Sequence, residues 1–192
     1  GDSLQTSLMG YIPATALQSI LDYHLTADNA QTFQSTMAAL YNDDDLLTQS
    51  AQSTLATLDL IDKIHVDNYQ TAYGATYTET YFGRALKQTA ALIKADAGLE
   101  VACIDLGGFD THIVQGRSRQ QGIGNFPLLV KELADNVRAF HDDLLDYGIR
   151  VSLVVMSEFG RRVQENGAGG TDHGHGGVMF VMSAGLQGTS VH

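Results

Sequence analysis

The sequence predicts an α/β protein: a parallel sheet between helix layers, in a three-layer α/β/α arrangement, preceded by a helical segment. Two observations carry this prediction. Residues before about 97 place apolar side chains at helical spacing, interrupted mainly by one tyrosine-rich stretch. Residues 99–183 then run through an apolar segment of strand length, a long amphipathic segment and two further apolar segments. Strand, helix, strand with strands apolar on both faces is the pattern of a parallel sheet covered by helices.

The elements follow in order. Residues 27–41 contain neither Gly nor Pro and read as a helix. Asp45 reads as the N-cap of the next helix. Its stripe is Leu47, Ala51, Leu55, Leu58 and Asp62, widened by Leu60, Ile61 and Ile64. In "DNYQTAYGATYTETYFG", Tyr69, Tyr73, Tyr77 and Tyr81 recur every four residues, but Gly74 and four threonines favour a loop. Its side chains are expected to pack on the core, with a tyrosine-lined ligand groove as the alternative. A helix over about 78–97 follows, buried through Phe82, Leu86, Ala90 and Ile93 and stopped by Gly98.

"LEVACIDL" predicts a strand near 101–106, ending at Gly107-Gly108. Phe126, Val130, Leu133, Val137, Phe140 and Leu144 define one face of a helix over about 126–146, which Gly148 ends. "IRVSLVVM" predicts a second strand near 151–156, parallel to the first, and "GVMFVMSAG" a third. The expected organisation is a helical segment or cap over 1–77 and an α/β core over 78–192 carrying the site.

Composition narrows the function classes. The chain has 192 residues, 44% hydrophobic, which is enough for one sizeable core or a core with a small lobe. Its formal net charge is −11 and no basic stripe is present, which excludes a nucleic-acid partner. No apolar run is long enough for a membrane span. The acidic, Thr-, Gln- and Ser-rich character leans towards a secreted or periplasmic protein. The opening "GDSLQTSLMG" lacks an initiator methionine, so a processed or excised piece is expected. The single cysteine, Cys103, permits no internal disulfide and is expected to be a small buried hydrophobe.

The chemistry-bearing residues gather at the predicted strand ends, where open parallel sheets bind their ligands. "GGFDTH" carries Asp110 and His112, and "SEFGRR" carries Ser157, Glu158, Arg161 and Arg162. "GTDHGHG" carries Asp172, His173 and His175. Asp-x-His and His-x-His each put two donors on one side of an extended backbone. Mixed Asp and His donors suit zinc, manganese or iron better than calcium or magnesium. Glycines let the backbone turn so that neighbouring side chains converge. A divalent metal, zinc or manganese first, is therefore expected on Asp110, His112, Asp172, His173 and His175. A hydrogen-bonded loop network without metal is the alternative. Glu158 reads as a ligand or general base, or as an ion-pair partner of Arg161 or Arg162. The arginines read as holders of an anionic substrate group or as structural residues. His24, His65 and His141 stand in or beside predicted helices and read as exposed or locally bonded.

At these residues the sequence resembles a bacterial family of unknown function, DUF1501. "YFGRALKQTAALIKADAGLEVACIDLGGFDTH" and "VVMSEFGRRVQENGAGGTDHGHGG" carry the resemblance, which is strong over about 77–188 and looser before. Members are typically exported, often by twin-arginine signals, and are grouped by remote similarity with the alkaline phosphatase and sulfatase superfamily. The resemblance implies a three-layer sheet, one or two metals on Asp and His, and hydrolysis or transfer at phosphate or sulfate esters. It also implies a periplasmic or secreted location and a small anionic ester as substrate. Asp110 and His112 match the superfamily's loop after a central strand. Its Asp-His pair after the following strand reads Ser157-Glu158-Phe159 here, and Asp172-His173 comes later. Either Glu158 replaces the aspartate, or the 172–175 loop has taken over ligation. The superfamily's hydroxyl nucleophile and first metal-binding aspartate have no counterpart in residues 1–98, which leaves Thr111, Ser157 and Thr171 as local hydroxyls. Two functions are thus expected: a metal-dependent hydrolase with Arg161 as anion clamp, or a non-catalytic exported binding protein that keeps the fold and a structural metal.

Overall fold

A computed structural model of the chain describes residues 9, 14–25, 29–43, 45–118, 122–147 and 151–186. The described residues form a mixed helix-and-sheet protein with α1 (Ala30–Leu40), α2 (Leu46–Ile64), α3 (Tyr81–Lys94) and α4 (Asn125–Asp143). Six short strands join them: β1 (Arg117–Ser118), β2 (Gly122–Ile123), β3 (Ser152–Val155), β4 (Gly160–Glu165), β5 (Thr171–Gly174) and β6 (Phe180–Ser183). Among the described residues no helix is long and apolar enough to cross a membrane. The chain divides into two compact units, 1–70 with 87–104, and 71–86 with 105–192.

The described part of the first unit is built from helices and turns. Asp45 caps α2 as its sequence predicts, with extended backbone and a carboxylate accepting the Thr48 N–H at 2.7 Å. His65, at φ 50°, ends the helix in the left-handed conformation. Thr48 and Leu58 are buried, whereas Leu47 lies exposed. Ser19 and Ile20 are tied to Gln88 of α3: the amide oxygen accepts the Ile20 N–H at 3.1 Å, and the amide nitrogen donates to Ser19 Oγ at 3.0 Å. Ala90 and Ala91 on this part of α3 are buried.

Residues 101–106 do not form the expected strand. Val101 is 63% exposed, and Cys103 is exposed rather than buried. An apolar run becomes a sheet strand only with a hydrogen-bonding neighbour. Among the described residues, 101–106 have no such neighbour in any strand pair.

In the second unit, the other two predicted strands form but run antiparallel, from Ser152↔Ser183 to Val155↔Phe180. The reason lies in their connection. Parallel neighbours need a crossover, usually a helix. The chain between β3 and β6 instead forms the β4·β5 pair, also antiparallel. Among the described residues the three sheets are each two-stranded and antiparallel.

α4 supplies much of this unit's buried surface. Ala139 and Phe140 are buried on it, with Leu144 at its end, together with Ala75, Tyr77, Phe82 and Leu86. Burying a side chain of the Phe or Leu class contributes roughly 1.5–3 kcal/mol. The start of the predicted α4 stripe, Phe126 and Val130, is more exposed. Two polar side chains of α4, Asn136 (0% exposed) and Asp143 (1%), are fully buried. Both hold the tyrosine-rich loop. Asp143 accepts the Ala72 N–H at 2.7 Å and the Tyr77 hydroxyl at 2.9 Å. Asn136 accepts the Thr78 N–H at 2.9 Å and donates to the Glu132 carbonyl at 2.9 Å. Tyr77 is thus a loop side chain packed on the core, as expected.

Candidate metal centre

Two backbone segments build the site. The first is the loop 107–115, held by the start of α4. Phe109 meets Phe126 edge-on at 5.9 Å, and the Phe126 N–H donates to the Gln115 carbonyl at 3.1 Å. The second is the β4·β5 pair, which sets Arg161 opposite His173. The turn 166–170 joins its strands and docks on the first segment. Val114 and Gln115 donate backbone N–H groups to the carbonyls of Ala168 (3.1 Å) and Gly169 (2.9 Å). Gly170 makes this approach possible, because a Cβ there would lie 2.3 Å from the His112 carbonyl group.

The docking gathers side chains far apart in sequence around one oxygen, Asp110 Oδ1. His173 Nε2 lies 2.8 Å from it, His112 Nε2 3.0 Å and Arg161 Nη2 3.0 Å. The second nitrogen of His112, Nδ1, lies 3.1 Å from Asp172 Oδ1. Planar groups stack behind these contacts. The Arg161 guanidinium sits 4.9 Å from the Phe159 ring centre, Phe159 stacks on His173 at 4.4 Å, and His173 lies 4.9 Å from His112.

The electrostatics follow from the contacts. The His173 hydrogen bond, helped by the charges of His112, His173 and Arg161, holds the Asp110 carboxyl below its ordinary value against some desolvation. Hydrogen bonds from Asn166 and His112 do the same for Asp172. Both carboxylates are therefore anionic at neutral pH.

One ligand atom each from Asp110, His112 and His173 lies within 4.8 Å of the others, a spacing that could hold a metal ion. A carboxylate with two imidazoles is a donor set for zinc, manganese or iron.

The remaining predicted residues fall around this group. Asp172 contacts His112 from the far side of the ring. His175 lies exposed at a bend, where Gly176 pairs with the Arg161 backbone (2.7 and 3.0 Å), and it is outside the group. Glu158 is exposed on the turn between β3 and β4 and is also outside it. Arg161 is 17% exposed in its side chain. Its guanidinium is engaged by the Thr171 carbonyl, the Phe109 carbonyl (2.9 Å) and Asp110, so it clasps the two segments together. The hydroxyls are engaged by other groups: Thr111 with the Phe109 carbonyl (3.4 Å), Ser157 with the Phe159 carbonyl (2.6 Å) and Thr171 with Gln115 Oε1 (2.7 Å).

Sequence reasoning missed Asn166 and Phe159. Asn166-Gly167 between two runs of strand length is a hairpin signal, and it was available. For Phe159 no signal existed, since its stacking partner His173 lies in β5.

Fold and site together define a mixed α/β protein with a carboxylate–imidazole cluster on docked loops. A family model described as a protein of unknown function (DUF1501) matches residues 13–192, and the chain belongs to that family. No curated protein and no solved structure matches the chain.

Proposed function

We propose that the chain carries the metal centre of a hydrolase acting on small phosphate or sulfate esters. The observation that supports this most is the convergence of ligand atoms from Asp110, His112 and His173 within 4.8 Å of one another. Zinc or manganese fits the donors. Such an ion supplies Lewis-acid polarisation of an ester oxygen and lowers the pKa of water. The chain's own residues do the rest. Asp110, His112 and His173 hold the ion, Asp172 fixes the His112 ring from its far nitrogen, and Arg161 fixes Asp110. Water is the nucleophile in this reading, because the hydroxyls of Thr111, Ser157 and Thr171 are each engaged in a hydrogen bond. The reaction class and an exported location rest on the family's resemblance to the alkaline phosphatase and sulfatase superfamily.

The same bonded hydroxyls favour a second reading, an exported binding protein that keeps the metal centre without turnover. Hydrolysis of p-nitrophenyl phosphate and p-nitrophenyl sulfate with zinc or manganese separates the two. The hydrolase reading expects release of nitrophenol that His173→Ala abolishes. Metal binding without release supports the second reading.

A further inference from the structure

We propose that Asn166 is a positioning residue of this centre: its side chain locks the β4·β5 turn and, from the same amide, sets the place of His112. All polar atoms of that amide are in use. Oδ1 accepts the Ala168 N–H at 2.9 Å and the Gly170 N–H at 3.1 Å, which shapes the turn. Nδ2 donates to the His112 carbonyl at 2.9 Å and to Asp172 Oδ1 at 3.0 Å. The first bond fixes the backbone that carries the imidazole. The second fixes the carboxylate that lies 3.1 Å from His112 Nδ1. With Nδ1 held there, Nε2 is the nitrogen turned towards Asp110 and the point of convergence. Groups that orient a ligating histidine through its second nitrogen typically contribute 10–100-fold in metal affinity. Asn166 adds a layer beyond Asp172, because it grips both the ring's partner and the ring's backbone. Its own backbone closes the same turn, the N–H donating to the Gly170 carbonyl at 2.8 Å.

The residue's two halves are separable. Asn166→Asp keeps an oxygen for the Ala168 and Gly170 N–H groups. It replaces the donor facing Asp172 and the His112 carbonyl by an acceptor, so two attractions become repulsions. The consequence for metal rests on the proposed metal centre, but the positioning itself is measurable without an ion.

The experiment uses the 192-residue chain with 15N-labelled histidine. Long-range proton–nitrogen correlations are recorded on the metal-free protein, and zinc is titrated by calorimetry. The expected result for Asn166→Asp is a displaced His112 Nδ1 resonance, unmoved His24, His65 and His141 resonances, an unchanged circular dichroism spectrum and zinc affinity lowered by about 10–100-fold. Should Asn166→Asp not fold, Asn166→Ser retains a turn acceptor and drops the tether, with the same resonance shift expected. Unmoved His112 resonances in a folded variant overturn the inference, as does zinc affinity within threefold of a zinc-binding parent. If the parent binds no zinc, the His112 resonances alone decide this inference.

Discussion

His173 Nε2 lies 2.8 Å from Asp110 Oδ1, although 62 residues separate Asp110 from His173 in the chain. Neither residue is informative alone. Their meeting is a product of the turn 166–170 docking on the segment 111–115, and the predictions test that chain of cause.

Ligand variants come first. His173→Ala and Asp110→Ala are expected to lower zinc affinity beyond the roughly 10–100-fold that loss of an outer partner costs. His24→Ala and His141→Ala are expected to leave it unchanged. His175→Ala falls between, closer to the controls, because His175 lies outside the group. Isothermal titration of the five proteins gives the ranking. Equal loss from His175→Ala and His173→Ala would contradict the geometry.

The glycine prediction isolates the docking step. Gly170→Ala pushes a methyl into the His112 backbone, which cannot rotate away as a side chain can. A loss of roughly 1–3 kcal/mol is expected, of the size seen for overpacking, together with loss of the site. Gly167→Ala, with nothing within 4 Å of the added atom, is expected to be near neutral. Denaturant melts of both variants check the contrast.

A third prediction concerns the buried polar pair of α4. Asn136→Ala leaves the Thr78 N–H without its acceptor, and a loss of about 1–3 kcal/mol is expected from urea unfolding. Faster hydrogen exchange at Thr78 than in the parent is the local readout. Unchanged exchange there would contradict the role given to Asn136.

Stability is expected to fall at both ends of the pH scale. Asp45, Asp110, Asp142 and Asp172 are held below their ordinary values, chiefly by hydrogen bonds from Thr48, His173, His141 and Asn166 respectively. A carboxyl whose folded pKa is depressed stabilises the fold above its unfolded value, near about 3.9. That contribution is lost as pH falls through the folded value. Tyr73 is raised, first by its hydrogen bond to Asp146. Its contribution is present below about 10 and lost as pH rises through the raised value. Melting temperatures across pH 2–12 should therefore plateau between these limits, with Tyr73→Phe flattening the alkaline fall.

Local features were legible in the sequence because they depend on neighbours within a few residues. The Asp45 cap, the α2 and α4 periodicities and the runs that became β3 and β6 belong to this class, whereas α3 ends at Lys94, ahead of a left-handed Asp96, and not at Gly98. Pairing was not legible. A run apolar on both faces reads as a strand between helix layers, but only its partner makes it parallel or antiparallel, and β3 takes β6. "LEVACIDL" carries the same composition and stays outside any strand. At the site, residue types pointed to Asp110, His112 and His173, since few other side chains bind metals. The sequence could not rank His175 below His173, because a bend after Gly174 decides it. Nor could it show that Arg161 spends its guanidinium on carbonyls and Asp110.

The most direct test of the central claim is a calorimetric titration of the metal-stripped chain with zinc and with manganese at neutral pH. The account predicts about one ion bound per chain, more tightly than millimolar, with protons released on binding and affinity weakening in acid, since neutral imidazole is the ligand form. Binding no tighter than millimolar for both ions, with His173→Ala indistinguishable from the parent, would contradict it.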